Sequence, residues 1–237
     1  VAYKFFGSIC NTSTIYSHSK VEDPCATVTI YTPEFPSVTL SGTSQMSVSG
    51  GAFSGDNLSV TLSGVAKMDG LSGTWNRANI TLSGSTHMDN LTLKSGTCYL
   101  TCSGVAEIAG VSSINSDKVQ LSMSGATSIK IDNINSGHVD ATASGAGKLS
   151  SLEVNASELI ANLSGASAVK FTGKIGKISA EMQGASSLSL HGNGNEVFVS
   201  AFGTSTLNAK NFTVKDASLK LSGVPGASWC FITAAKA

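Results

Sequence analysis

The chain has 237 residues, of which 41% are hydrophobic and 13% charged, and its 15 basic and 15 acidic residues give no formal net charge. This composition excludes a disordered chain and argues against binding nucleic acid through a generally basic surface. Aromatic residues make up only 6% of the chain, so bulky groups are too few for one large core, and a thin core divided along a long axis is expected.

The sequence also bears on location. No apolar run is long enough to span a bilayer, so the protein is predicted not to be membrane-spanning. The first residues lack the basic and apolar regions of a signal peptide. If the protein is secreted, its signal peptide has already been removed.

Residues 1–35 are predicted to form an N-terminal cap with the first strands. Two of the five cysteines, Cys10 and Cys25, lie in this segment. Because the number of cysteines is odd, at least one is free or pairs outside the chain. A local bridge between Cys10 and Cys25 would suit an oxidising compartment, and the sequence leaves open whether it forms.

From residue 36 to residue 228, one glycine recurs at intervals of about 20 residues, usually directly after a serine. Such regular spacing is the signature of a repeat in which each unit is one turn of a larger structure. The repeated glycines are Gly42, Gly64, Gly84, Gly104, Gly125, Gly145, Gly165, Gly184, Gly203 and Gly223.

Apolar residues recur at fixed distances from these glycines. They stand two and four residues before each glycine, in columns that end at Leu221 and Leu219, and a weaker column lies eleven residues before. Alternation by two predicts a strand with one buried face. Small residues stand two after the glycine, just inside an expected corner. Four after it, the predicted core column is Met46, Met68, Met88, Ile108, Ile129, Leu149, Val169, Leu188 and Leu207.

These columns predict an all-β fold, a right-handed parallel β-solenoid of about ten coils of about 20 residues, each with about three short strands and three corners. A single unit of this length cannot bury its own apolar face, but stacked coils share one inner column. No sustained helical stripe is present. The solenoid is predicted to occupy residues 36–228, and residues 229–237 form a C-terminal tail that helps to cover the other end.

The alignment of the repeats also indicates where the two central cysteines lie. Cys98 and Cys102 fall in columns that other coils fill with Leu, Val and Ala. Buried small side chains are therefore expected there rather than metal ligands, because Cys is among the most buried residue types. No metal site and no cofactor are predicted for this chain.

The repeated phrase around the glycine resembles a known family. Residues 162–169 (NLSGASAV) and 123–129 (MSGATSI) carry it, and residues 28–42 (VTIYTPEFPSVTLSG) resemble the strand, prolines and first Ser-Gly step of that family. The chain is similar over about residues 26–228 to the head GIN domain family of auto-transporter adhesins. The resemblance implies a bacterial β-solenoid with an adhesive role and no catalytic residue. It also implies an extracytoplasmic location, in the periplasm, on the outer-membrane surface or secreted, with the signal peptide already removed.

One compact polar cluster is expected on the outside of neighbouring coils. Three and five residues after the glycine, the sequence places Lys67, Asp69, His87, Asp89 and Glu107. On stacked strands about 4.8 Å apart, these side chains could converge, as the paired groups of a polysaccharide-active β-helix enzyme would. A solvated face with complementary charges is the favoured interpretation, because motifs for calcium, a nucleophile or phosphate are absent.

A second outward column is rich in hydroxyl groups. Three residues before the glycine stand Thr39, Thr61, Thr81, Thr101 and Thr142, and a serine follows each by two residues. Such an array could bind an ordered partner such as a glycan chain, although threonine also simply suits an exposed strand. Trp75, Tyr99 and Phe202 are expected in or near outward positions and could stack on sugar rings.

We therefore predict a non-enzymatic adhesin-like protein that binds carbohydrate or a cell-envelope component through many weak contacts along its coils. The alternatives are a polysaccharide-active β-helix enzyme that uses the Lys67–Glu107 cluster, and a structural surface spacer without a ligand. No nucleic acid partner is expected, and the sequence leaves the ligand and the oligomeric state open.

Overall fold

The computed structural model describes residues 3–10, 25–32, 35, 37–223 and 230–234, with side chains for residues 35, 37–151 and 153–223. Within this part of the chain there are strands and turns and no helix. The strands are β1 (Tyr3–Cys10), β2 (Cys25–Thr32), β3 (Ser37–Leu40), β4 (Thr43–Ser49), β5 (Phe53–Leu62), β6 (Lys67–Leu82), β7 (His87–Cys102), β8 (Glu107–Met123), β9 (Ser128–Ala143), β10 (Lys148–Leu163), β11 (Ala168–Met182), β12 (Ser187–Phe202), β13 (Thr206–Val214), β14 (Asp216–Ser222) and β15 (Cys230–Ala234).

The fold is a parallel β-solenoid of about 9 turns, which confirms the predicted class. Each of β6 to β12 pairs in parallel with the next strand in sequence. Met68 lies beside Met88, and Met88 beside Ile108, so residues one repeat apart stack directly above one another. The right-handed sense of the coil stays a prediction.

Each coil differs from the prediction in how its strands are divided. Instead of three short strands, one strand of 15 to 17 residues runs around nearly the whole coil in β6 to β12. The physical reason is that neighbouring coils bend at matching positions, so hydrogen bonding continues through the bends. The main interruption is the turn at the repeated glycine.

The glycine corner requires glycine for two reasons. Gly125 has a φ of +82°, which side chains rarely adopt, and a Cβ built on it would lie 2.5 Å from the carbonyl oxygen of Gly104 in the previous coil. That oxygen accepts a hydrogen bond of 2.8 Å from the backbone N–H of Ala126. The corners of successive coils are therefore in direct backbone contact, with no room for a side chain between them.

The core is a continuous row of apolar side chains inside the coils. The column four residues after the glycine is buried from Met46 to Leu207, as predicted. Cys98 and Cys102 are also buried and free, and desolvation raises the pKa of each thiol from 9.0 to about 12. Burial is wrongly predicted for Leu219 and Leu221, which are 38% and 43% exposed, because β14 pairs only with β12 in the described part of the sheet.

The two ends are built differently from the middle. Strands β1 and β2 form an antiparallel pair, and β1 continues the sheet antiparallel to β4. Their register places Cys10 opposite Cys25, but the side chains lie outside the described residues and the bridge stays a prediction. At the other end β15 pairs in parallel with β13. The described segments include no helix that could cross a membrane.

Candidate functional site

The threonine column forms a straight row on the outside of the first coils. It consists of Thr39, Thr61, Thr81, Thr101, Ser122 and Thr142, and each pairs in register with the next. Thr39, Thr81, Thr101 and Thr142 are exposed and Thr61 is half-buried. Residues before and after each of these positions point inward, so the outward direction follows from strand alternation.

The serines two residues later are less available than the sequence suggests. The hydroxyl groups of Ser63, Ser83 and Ser103 donate hydrogen bonds of 3.3 to 3.4 Å to the carbonyl oxygens of Leu40, Leu62 and Leu82 in the previous coils. Their donor capacity is therefore used at the corner. The predicted hydroxyl array is reduced to the threonine column itself.

The same column continues into a shallow groove on the last coils, which we call the phenylalanine groove. Asn162, Glu181, Ser200 and Lys220 extend the threonine column, each in register with the next. The neighbouring outward column carries Ile160, Ser179, Phe198 and Ser218. Both columns line one concavity, and Phe198 is 42% exposed within it. An aromatic ring thus stands beside amide, carboxylate and ammonium groups.

The polar cluster predicted on β6 to β8 converges in part: His87 contacts Asp89 and Glu107, whereas Lys67 and Asp69 form no ion pair with the other members. Lys67, His87 and Glu107 lie in one column, and Asp69 pairs with Asp89 in the column beside it. The His87 ring nitrogens lie 2.6 Å from Asp89 Oδ2 and 3.2 Å from Glu107 Oε2.

The carboxylates of this cluster are engaged with their own neighbours. Asn90 Nδ2 donates a 2.6 Å hydrogen bond to Asp69 Oδ1. Within residues 37–223, no group of three or more His, Cys, Asp or Glu side chains is arranged to hold a metal ion. The side chains of His87, Asp89 and Glu107 are 34%, 37% and 53% exposed, so these groups pair with one another at the surface. This arrangement is typical of a surface network of complementary charges.

The aromatic residues named from the sequence behave differently from one another. The outward position expected for Trp75 is wrong, since the indole is only 2% exposed and fills the space beside Gly73, where a Cβ would collide with the ring. Tyr99 is half-buried, with the Arg77 guanidinium 5.5 Å from its ring centroid. Phe202 is half-buried at the corner.

The phenylalanine groove was missed at the sequence level, although a signal for it existed. Phe198 stands five residues before Gly203, in the outward column between two buried ones.

A ladder of side-chain amides was missed as well. Asn135 donates to Asn115 at 3.0 Å, and Asn155 donates to Asn135 at 3.1 Å. These asparagines stand in one register column, which alignment of the repeats would reveal.

Comparison with known proteins gives one match. The family model described as "Putative auto-transporter adhesin, head GIN domain" matches residues 150–228, which include the NLSGASAV phrase, most of β10 and all of β11 to β14. The resemblance is confirmed over this range, and the segments 28–42 and 123–129 lie outside it. No curated protein and no solved structure matches the chain.

Proposed function

We propose that the protein is a non-enzymatic adhesin, at the cell surface or secreted, that binds an extended carbohydrate chain along the threonine column and the phenylalanine groove. The family description of residues 150–228 supports the adhesive role and the extracytoplasmic location. The observation that carries the proposal is the exposed ring of Phe198 beside Asn162 and Glu181, at the end of a straight row of hydroxyl groups.

The chemistry of the groove suits a sugar chain. Sugar rings have apolar faces that pack on aromatic rings, and hydroxyl edges that hydrogen-bond to amides and carboxylates. The threonine column repeats at the spacing of parallel strands, about 4.8 Å. A chain that lies along the solenoid therefore meets a similar contact at each coil, and many weak contacts add through effective concentration.

The proposal is tested by a glycan array at physiological salt, followed by titration of the polysaccharide that binds. Phe198→Ala should weaken binding about tenfold, because a stacked ring contributes roughly 1 kcal/mol beyond its buried area. Val105→Ala is the control, since Val105 is an exposed apolar side chain at a glycine corner, outside the threonine column and the phenylalanine groove. Equal losses in the two variants, or a blank array, would contradict the proposal and favour a structural spacer.

The enzyme alternative uses the Lys67–Glu107 cluster, in which His87 contacts Asp89 and Glu107. It is tested by assaying product release from envelope and plant polysaccharides. We expect no turnover by the wild-type protein. Turnover that is lost in Asp69→Ala and Asp89→Ala, with the fold intact, would replace the adhesin proposal by the enzyme alternative.

A further inference from the structure

A second outward face carries three lysines on three successive coils, which we call the lysine cluster. Lys130 on β9 and Lys170 on β11 are both in register with Ser150 on β10, so they share one column with a serine between them. Lys148 lies in the next outward column, between Ser128 and Ala168. With strands about 4.8 Å apart, Lys130 and Lys170 lie about 10 Å from each other.

The lysine cluster has no acidic partner among the side chains of residues 37–151 and 153–223. All three lysines are exposed, and none lies within 4.0 Å of a carboxylate there. This includes Asp132 and Glu153, the acidic residues closest to them along the chain. Lys177, in contrast, lies 3.4 Å from Glu158. Three unpaired positive charges therefore stand together on a chain with no net charge.

The other half of the same face has the opposite character. On β6 to β8 these two columns carry the acidic residues Asp69, Asp89 and Glu107, whose carboxylates already contact Asn90 and His87, and one further lysine, Lys67. The acidic half therefore satisfies its charges internally, whereas the basic half leaves them for an external anion. This asymmetry argues against pairing of this face with the same face of a second copy, because the acidic groups which that face would offer are engaged.

The surroundings of the lysines narrow the class of anion. Between and beside them stand Ser128, Ser150, Ala168 and Ser187, which are small and leave the ammonium groups accessible. These outward positions hold no aromatic ring on which a base could stack, so nucleic acid is disfavoured. They also hold no large apolar side chain, so a protein partner would find no apolar interface core.

We infer that the lysine cluster is a binding site for an acidic polysaccharide, a linear sugar chain with carboxylate or sulfate groups. Such a polymer carries negative charges at regular intervals, and the distance between Lys130 and Lys170 is comparable to the length of one disaccharide. Its attraction to the lysines is electrostatic and is screened by salt. The site does not depend on the threonine column, which lies on the other side of the glycine corner.

Binding is measured by calorimetry with polygalacturonate, chondroitin sulfate and neutral dextran at low and high salt. The wild-type protein should bind one or both acidic polymers at low salt, lose them at high salt, and bind dextran no more tightly than a blank. The triple variant Lys130→Gln, Lys148→Gln, Lys170→Gln should weaken acidic-polymer binding by about tenfold or more, since three exposed ion pairs are lost together.

A triple variant with the same charge change elsewhere is the control. Lys174→Gln, Lys177→Gln, Lys215→Gln should weaken binding by less than about threefold, because these lysines lie outside the cluster. Phe198→Ala should leave acidic-polymer binding unchanged, so failure of the carbohydrate proposal above and failure of this one are distinguishable. Circular dichroism confirms that each variant is folded.

Several results would overturn the inference. Equal losses in the two triple variants would mean that only general charge attraction acts. Failure of the wild-type protein to bind either acidic polymer at low salt would exclude the site. Cluster-dependent binding to vesicles of anionic lipid without binding to either polymer would assign the lysines to a membrane surface, and a salt-sensitive dimer abolished by the cluster variant would assign them to a second copy.

Discussion

The corner at the repeated glycine and the bend six residues later turn the same chain by different means. At the corner, from Gly64 to Gly203, every coil has a glycine at positive φ, and the backbones of adjacent coils touch. At the later bend only β6, β7 and β8 use a left-handed residue, namely Gly70, Asn90 and Gly110. A Cβ on Gly70 would lie 2.5 Å from the Val48 carbonyl oxygen, but the same bend carries a Cβ at Asn90 and leaves 3.2 Å at Gly110, so it does not exclude side chains in every coil as the corner does.

The later bend also changes along the solenoid. Strand β8 is one residue longer than β7 and β9, and the register shifts on both sides of it. From β9 onward the corresponding position, at Ile131 and Phe171, is a buried side chain without left-handed backbone. A position at which every coil touches the next therefore keeps the same residue type, whereas the later bend is built from different residues in different coils.

The largest effect should come from Gly125→Ala at the corner. The substitution forces a side chain into the left-handed region and onto the Gly104 carbonyl, so it should lower the free energy of unfolding by about 3 kcal/mol or more. Urea unfolding measures the loss. The control is Gly55→Ala, where a Cβ would meet only Trp75 at 3.4 Å and the cost should stay below about 1 kcal/mol. Similar losses in both variants would show that the corner tolerates a side chain as well as Gly55 does, and would contradict the argument from backbone contact.

A smaller effect is expected for Gly110→Ala at the later bend. Its φ is +64°, but a Cβ would lie 3.2 Å from the backbone nitrogen of Asn90, so strain dominates over collision. The free energy of unfolding should fall by about 1 to 2 kcal/mol, less than at Gly125. A loss at Gly110 that equals or exceeds the loss at Gly125 would erase the distinction between the two bends.

The smallest effect at neutral pH is expected in the core beside the corner, for Cys98→Val combined with Cys102→Ala. Val119 on the next coil and Ala143 two coils away stand in these columns, so the packing cost should be about 1 kcal/mol or less. Ionisation of the two thiols changes the free energy of unfolding only at alkaline pH. Comparison of the wild-type protein with the double variant at that pH isolates their contribution.

The pH dependence follows from burial, which raises the pKa of both thiols from 9.0 to about 12. Because the folded pKa is the higher one, the thiol contribution to stability is intact below pH 9.0 and falls as the pH rises toward 12. Urea unfolding at about pH 8 and about pH 10.5 should show a steeper loss for the wild-type protein than for the double variant. Parallel losses would mean that the thiols ionise equally in both states.

Much of the fold could be predicted because aligning the repeats shows which residues of neighbouring coils lie side by side. Once the glycines are aligned, the stacking of Met68 on Met88 and the outward direction of Thr81 follow from strand alternation. The candidate site was less accessible to prediction. The exposed ring of Phe198 and the lysine cluster depend on which outward columns lie side by side, and the burial of Trp75 depends on the space beside Gly73, where a Cβ would collide with the ring.

The amino-acid sequence by itself determined the solenoid, its period, its inner columns and the burial of its central cysteines, because a periodic pattern of small and apolar residues can be buried only by stacking. The tertiary structure decided where the strands bend without breaking, which serine hydroxyls are used by the fold, and which charges find partners. Those outcomes depend on distances of a few ångströms between side chains of different coils, which the order of residues along the chain does not specify.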